Sequence, residues 1–145
     1  MRGWKVLATG VLALLASVSC SPALAGEPYT LAHDYAFHTL ARNADNRPLC
    51  EERWTFEPDG TAAIVSGREV VHYRYRLVGN WLTFDRRETN GEPDCTGRPT
   101  AKEPEPQKSR LYIIPFLTGG FLVCSEKPGD EVTAANCPAR ADPVH

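Results

Sequence analysis

The chain has 145 residues, with 16 Lys and Arg against 18 Asp and Glu, and a formal net charge of −2. This balance is ordinary for a soluble domain and argues against a nucleic-acid partner, which requires a concentrated positive surface. The length is typical of one domain rather than two.

The N-terminus has the three parts of a secretory signal. Arg2 and Lys5 precede an apolar run from Val6 to Val18, and Ala23-Leu24-Ala25 supplies a small-x-small cleavage site. The apolar run is too short to remain as a transmembrane helix. We therefore expect residues 1–25 to be a cleaved signal peptide.

Cys20 offers an alternative, because bacterial lipoproteins are cleaved just before a cysteine that then carries lipid. Ser17 stands where that cleavage usually wants Leu. We therefore favour a soluble, periplasmic or secreted domain over residues 26–145, and we expect contact with a membrane only if Cys20 is lipidated.

Four of the five cysteines lie after the signal, and an even number in a small exported domain predicts two disulfides. Their pairing is open, since four cysteines allow three connectivities. No two of them have the C-x-x-C spacing of a zinc site, so we expect no metal and no cofactor. The four are Cys50, Cys95, Cys124 and Cys137.

The first half of the domain predicts antiparallel strands. Residues 31–40 fit a strand or a short helix, and we favour a strand because the neighbouring segments are strands. Trp54-Thr55-Phe56 ends at Pro58-Asp59-Gly60, which is a turn signal, and an extended stretch resumes over 61–65.

The clearest periodicity lies between Val71 and Leu77, where apolar or aromatic residues alternate with His72, Arg74 and Arg76. Such alternation is typical of a strand with one packed face and one wet face. Gly79-Asn80 predicts a tight turn into a partner strand over 81–84.

The second half is less regular. Residues 86–108 are rich in Pro and Gly and predict a long loop, with Cys95 linking it to the body. Strands are predicted over 110–116 and 121–124, the second of them closing the sheet, followed by an irregular tail with Cys137. We find no internal repeat. The expected fold is all-β, a small antiparallel barrel or a barrel-like sandwich.

Two stretches carry a resemblance to a known group of proteins. Trp54-x-Phe56-x-x-Asp59-Gly60-Thr61, followed by Tyr75-x-Leu77-x-Gly79-Asn80-x-Leu82-Thr83-Phe84, resembles the hairpin signature of lipocalin-like domains in bacterial envelope proteins. The resemblance covers about a quarter of the chain and implies a small β-barrel with a ligand cavity. The Gly-x-Trp motif that lipocalins carry near the first strand is missing.

Two sets of side chains are candidates for binding. Aromatic residues with polar tips suit a cavity for a small apolar ligand, although the same residues can form a plain core that needs no ligand, which we favour. The basic face of the 71–77 strand could bind an anionic glycan, a lipid head group or an acidic protein, or could simply be solvated. The aromatic set is Trp54, Phe56, Tyr73, Tyr75, Trp81 and Phe84, and the basic set is His72, Arg74 and Arg76.

No catalytic residue is predicted, because the chain has no nucleophile with an adjacent base and no metalloprotease motif. His33 and His38 diverge on either a strand or a helix, so they do not form a ligand pair. We therefore expect an exported, non-catalytic binding domain for a small apolar molecule or an envelope protein. The alternative is an inhibitor of an extracellular protease or lysozyme that uses the 86–108 loop as a rigid insert.

Overall fold

The computed structural model describes residues 29–99 and 108–145. The predicted signal peptide over 1–25, Cys20 within it, and residues 100–107 of the predicted loop lie outside the described residues. No helix in the described part of the chain is long and apolar enough to cross a membrane.

Eight strands form one closed antiparallel barrel, in which each strand pairs with its neighbours in chain order and the last pairs with the first. The all-β barrel is confirmed, and so is the strand within residues 31–40. The strands are β1 (Asp34–Thr39), β2 (Glu51–Phe56), β3 (Thr61–Ser66), β4 (Glu69–Val78), β5 (Trp81–Thr89), β6 (Lys108–Pro115), β7 (Phe121–Cys124) and β8 (Ala139–Pro143).

Two boundaries differ from the sequence prediction. β5 continues to Thr89, into the segment predicted as loop from residue 86, because it pairs with β4 as far as Val71. The tail predicted to be irregular contains β8, which pairs with both β7 and β1 and closes the barrel in place of 121–124. Strand pairing overrides the weak β-propensity of the sequence Ala-Arg-Ala-Asp-Pro.

Because successive strands alternate in direction, the connections fall at two opposite ends of the barrel. The turn end has the short connections, and the disulfide end has three long connections and one short turn. The turn end comprises residues 29–33, 57–60, 79–80, 116–120 and 144–145, and the disulfide end comprises 40–50, 67–68, 90–99 and 125–138.

Both disulfides lie at the disulfide end. Cys50–Cys95 joins the β1–β2 connection to the β5–β6 connection, and Cys124–Cys137 closes the β7–β8 connection. The structure thus confirms two disulfides and selects one of the three possible pairings. Cross-links of this kind are consistent with a periplasmic or extracellular compartment.

The core fills the barrel between these two ends. Inward positions recur at every second residue, as the pleat requires, and large rings alternate with small side chains where strands crowd together. Ala141 of β8, for example, lies opposite the fully buried Phe121 of β7, and Ala139 lies opposite Val123. The buried cluster comprises Tyr35, Trp54, Phe56, Ala62, Leu82, Phe84, Ile113, Phe121, Val123, Ala139 and Ala141.

Candidate functional site

Five of the six aromatic residues predicted to line a cavity meet inside the barrel. Trp54, Phe56 and Phe84 are 4 %, 3 % and 2 % exposed. Trp54 lies 5.6 Å from Phe84 between ring centroids, and Tyr73 lies 5.1 Å from the same ring. Tyr75 contacts Phe56 at 4.9 Å in an edge-on arrangement. These are packing distances for aromatic pairs, so the five rings pack against one another in the core.

Trp81 does not join them. It alternates with the fully buried Leu82 and therefore projects from the outer face of β5. Its ring packs edge-on against Tyr112 at 5.0 Å, and the Arg110 guanidinium lies 3.8 Å from its centroid. The structure thus places Trp81 in an outer cluster with a cation, apart from the interior set.

The turn end closes over the aromatic core. The Tyr29 hydroxyl donates to the Gly119 carbonyl at 2.6 Å, and the Ala32 N–H donates to the Tyr35 hydroxyl at 2.8 Å. Burial raises the pKa of Tyr29. A hollow of about 510 Å³ remains beside this closure, where Phe56 and Tyr75 are reached from the surface past Leu31.

The predicted basic set lies on the outer face of β4, where all three side chains are exposed. His72 and Arg74 line a groove of about 790 Å³, together with Arg87 of β5. The groove exists because the facing positions on β2 and β3 carry short side chains, Thr55 and Ala63. Arg76 does not line this groove and lies one row nearer the turn end.

The two histidines near the start of the domain are held by carboxylates on separate parts of the surface. His33 Nε2 lies 3.0 Å from Glu57. Its contacts with Glu57 and Asp34 raise the pKa of His33 and outweigh the opposing effect of desolvation. His38 faces Asp142 at 3.8 Å. The structure therefore does not bring the two imidazoles together.

Glu52 is an inward carboxylate that the sequence reasoning missed. Glu52 points into the disulfide end of the barrel, where its Oε2 accepts the Trp54 indole N–H at 2.7 Å. Its Oε1 lies 3.6 Å from the Cys50 sulfur, which is a contact and not a hydrogen bond because a disulfide carries no proton. Burial raises the pKa of Glu52. The strand alternation that separates Glu52 from exposed Glu51 was the available signal.

Two loops at the disulfide end share one conformation, which the sequence reasoning also missed. Asn43 N–H donates to the Arg47 carbonyl at 2.9 Å, and Asp94 N–H donates to the Arg98 carbonyl at 2.9 Å. In each loop the side chain of the first residue, Asn43 or Asp94, accepts hydrogen bonds from two backbone N–H groups. The fourth residue of each loop, Asn46 or Gly97, has a positive φ. The shared spacing is visible as Asn43-Ala-Asp-Asn-Arg-Pro and Asp94-Cys-Thr-Gly-Arg-Pro.

The Cys50–Cys95 disulfide joins these two loops, since Cys50 follows the first loop and Cys95 lies within the second. Each loop is further closed by an isolated β-bridge, Arg42 with Pro48 and Pro93 with Pro99. The pair forms a rigid, cross-linked rim that exposes Arg47 and Arg98.

Comparison with known proteins gave no match: no family model, no curated protein and no solved structure matches the chain.

Proposed function

We propose that this chain is an exported, non-catalytic binding domain whose partner is a protein of the cell envelope, bound on the outer surface of the barrel. The observation that carries the proposal is the packed interior. Five interior rings pack at 5–6 Å from one another, and the outer groove along β2–β5 offers a surface for recognition.

The groove has features that suit a protein partner. It combines short side chains on its floor with the exposed imidazole of His72 and the guanidinium groups of Arg74 and Arg87 at one side. Arginine is favoured at protein interfaces, because its planar fork binds carboxylates with two hydrogen bonds. Glu57 lies at one margin of the groove, which favours a partner that carries basic as well as acidic side chains.

The experiment is photo-crosslinking in the organism that exports the chain. A photoreactive amino acid replaces His72 in the groove, and the matched control replaces Ala36, which is exposed on the outer face of β1. We expect one discrete adduct with an envelope protein from position 72 and none from position 36. Absence of an adduct, together with a stoichiometric apolar compound in native mass spectra of the exported protein, would refute the proposal.

Inhibition of an extracellular hydrolase is a second candidate, favoured by the cross-linked rim. Loops held in one conformation lose little entropy on binding, which is what an inhibitory insert requires. Titration of the exported protein against lysozymes and secreted proteases tests it. Inhibition should disappear in the Cys50→Ala/Cys95→Ala variant and persist when His72 is replaced by Ala.

A further inference from the structure

The outer faces of β4, β5 and β6 change together from charged to apolar toward the turn end. Cross-strand register aligns their outward side chains in three rows, which we call the graded face. The rows are Arg74–Asp85–Lys108, then Arg76–Thr83–Arg110, and finally, at the turn end, Val78–Trp81–Tyr112.

Several arginines elsewhere on the barrel form ion pairs, which the cations of the graded face do not form within the part of the chain that the structure describes. Arg53, Arg68 and Arg140 each have a carboxylate partner, namely Asp34, Glu92 and Asp142. Among the described residues, the four cations of the graded face form no ion pair within 4 Å, and its single carboxylate, Asp85, is bound by Arg87 at 3.0 Å. The four are Arg74, Arg76, Lys108 and Arg110.

Unpaired like charges in neighbouring rows repel one another and weaken the fold slightly. The domain after the predicted signal is acidic as a whole, since it contains 18 acidic and 14 basic residues once Arg2 and Lys5 are removed. A concentration of unpaired cations on one wall of an acidic domain indicates a negatively charged partner.

The apolar end of the graded face narrows the chemistry of that partner. Val78 is 62 % exposed, and Leu117, on the turn that follows β6, is fully exposed. Between them the Trp81 and Tyr112 rings pack together, with Arg110 over the indole. Side chains follow the same order across the interface of a lipid bilayer: exposed aliphatic groups first, then Trp and Tyr, and then cations.

The dimensions agree with that order. Outward residues two apart on a strand are separated by about 6.7 Å, so the two cationic rows lie about 7 and about 13 Å from the apolar row. Elements at a membrane surface bury their apolar groups about 5–10 Å deep, at the boundary of head groups and acyl chains. Cations at these distances reach lipid phosphates while the apolar row is inserted.

We propose that the turn end of the barrel docks on an anionic lipid bilayer through the graded face. Val78, Trp81, Tyr112 and Leu117 enter the interface, and Arg76 and Arg110 bind phosphates, with Arg74 and Lys108 behind them. This inference goes beyond the proposed protein partner, and of its residues only Arg74 also lines the groove proposed for that partner.

The course of the chain supports the same orientation. Tyr29, the first described residue, lies at the turn end, where it bonds Gly119. Cys20 precedes it by nine residues, which span at most about 30 Å when extended. A lipid on Cys20 would therefore keep Tyr29, at the turn end, within about 30 Å of the membrane.

The experiment uses the exported product of a Cys20→Ser chain, so that no lipid is attached at that position. Phosphatidylcholine vesicles with and without phosphatidylglycerol are sedimented with the protein at low and high salt. We expect binding to the anionic vesicles only, weakened by salt because exposed charges are screened. Brominated lipid should quench the fluorescence of this protein and leave that of its Trp81→Phe variant almost unchanged.

Two matched pairs of variants locate the contact. Arg76→Glu/Arg110→Glu should lower the partition coefficient at least about tenfold, given about 1 kcal/mol per basic residue at an anionic surface. Arg47→Glu/Arg68→Glu at the disulfide end changes the net charge equally and should leave it within about twofold. Leu117→Asp should weaken binding, whereas Val132→Asp, also exposed but at the disulfide end, should not.

Several results would overturn the inference. Equal binding to neutral and anionic vesicles would remove the role of the cations, and equal losses in the two double variants would show only a net-charge effect. If vesicles do not bind the protein but a sulfated glycan column or an acidic protein retains it through Arg76 and Arg110, the graded face has a different ligand. An adduct at position 72 without vesicle binding refutes this inference and leaves the proposed function standing.

Discussion

At the turn end, connections of two to five residues are closed by tyrosine hydrogen bonds, whereas at the disulfide end three connections of 11 to 18 residues are restrained by covalent links. Long connections lose more conformational entropy on folding than short ones, so hydrogen bonds alone restrain them poorly. The comparison indicates that covalent links are placed where the chain between strands is longest. Four predictions test this division between the two ends.

The largest effect is expected from the link between the matched loops. Cys50→Ala/Cys95→Ala opens a closure with a sequence separation of 45 residues and should lower the free energy of unfolding by about 4 kcal/mol. Urea unfolding followed by fluorescence measures it. The matched control, Cys124→Ala/Cys137→Ala, opens a separation of 13 and should cost about 3 kcal/mol. A reversed order would contradict the entropic interpretation.

At the turn end, Tyr29→Phe should cost about 1 kcal/mol, because it removes a hydroxyl that donates to the Gly119 carbonyl and keeps the ring. Thermal unfolding at neutral pH measures the change. Tyr112→Phe is a suitable control, because Tyr112 lies on the outer face against Trp81. If the two variants are equally stable, the Tyr29 hydroxyl does not contribute to closure of the turn end.

Acid should weaken the turn end through Asp34. Hydrogen bonds from Arg53 and Thr55 lower the pKa of Asp34 from 3.8 to about 2. Because its folded pKa is depressed, its contribution is present above pH 3.8 and is lost as the pH falls toward 2. Since Arg53 is exposed, we expect no more than about 1 kcal/mol. Asp34→Asn should flatten the stability profile between these two pH values, and an unchanged profile would exclude this role.

A rise in pH should weaken the disulfide end through Glu52, and this is the smallest of the four expected effects. Burial raises the pKa of Glu52, although bonds from Trp54 and Ser66 oppose the rise. With a raised folded pKa, stability is full below the unfolded pKa and decreases as the pH rises through the folded value. Glu52→Gln should therefore stabilise the protein at pH 8 more than at pH 4. Glu51→Gln, exposed on the same strand, is the control, and an equal gain there would contradict the prediction.

Much of the fold was predictable from local patterns. The alternation between Val71 and Leu77 placed three basic side chains outside and the tyrosines inside, as β4 has them. The same rule separates Trp81 from Phe84, since residues three apart on a strand face opposite sides. The sequence prediction grouped them by chemistry and so overlooked a position that the period already determined.

Other features depend on contacts between distant residues. β8 is a strand because β1 and β7 both offer it partners, while its own residues have little β-propensity. The graded face requires the register that brings Arg76 and Arg110 to either side of Thr83, although they are 34 positions apart in the chain. The candidate site therefore emerges from pairing, and no single stretch of sequence contains it.

Closure of the barrel by β8 also has a consequence for self-association. Since every described strand has two neighbours, no strand is left as an open edge of the sheet to recruit a strand from another molecule. Proteolytic loss of residues 139–145 would uncover β1 and β7 together. A molecule trimmed in this way should form fibres at concentrations where the intact one remains dispersed.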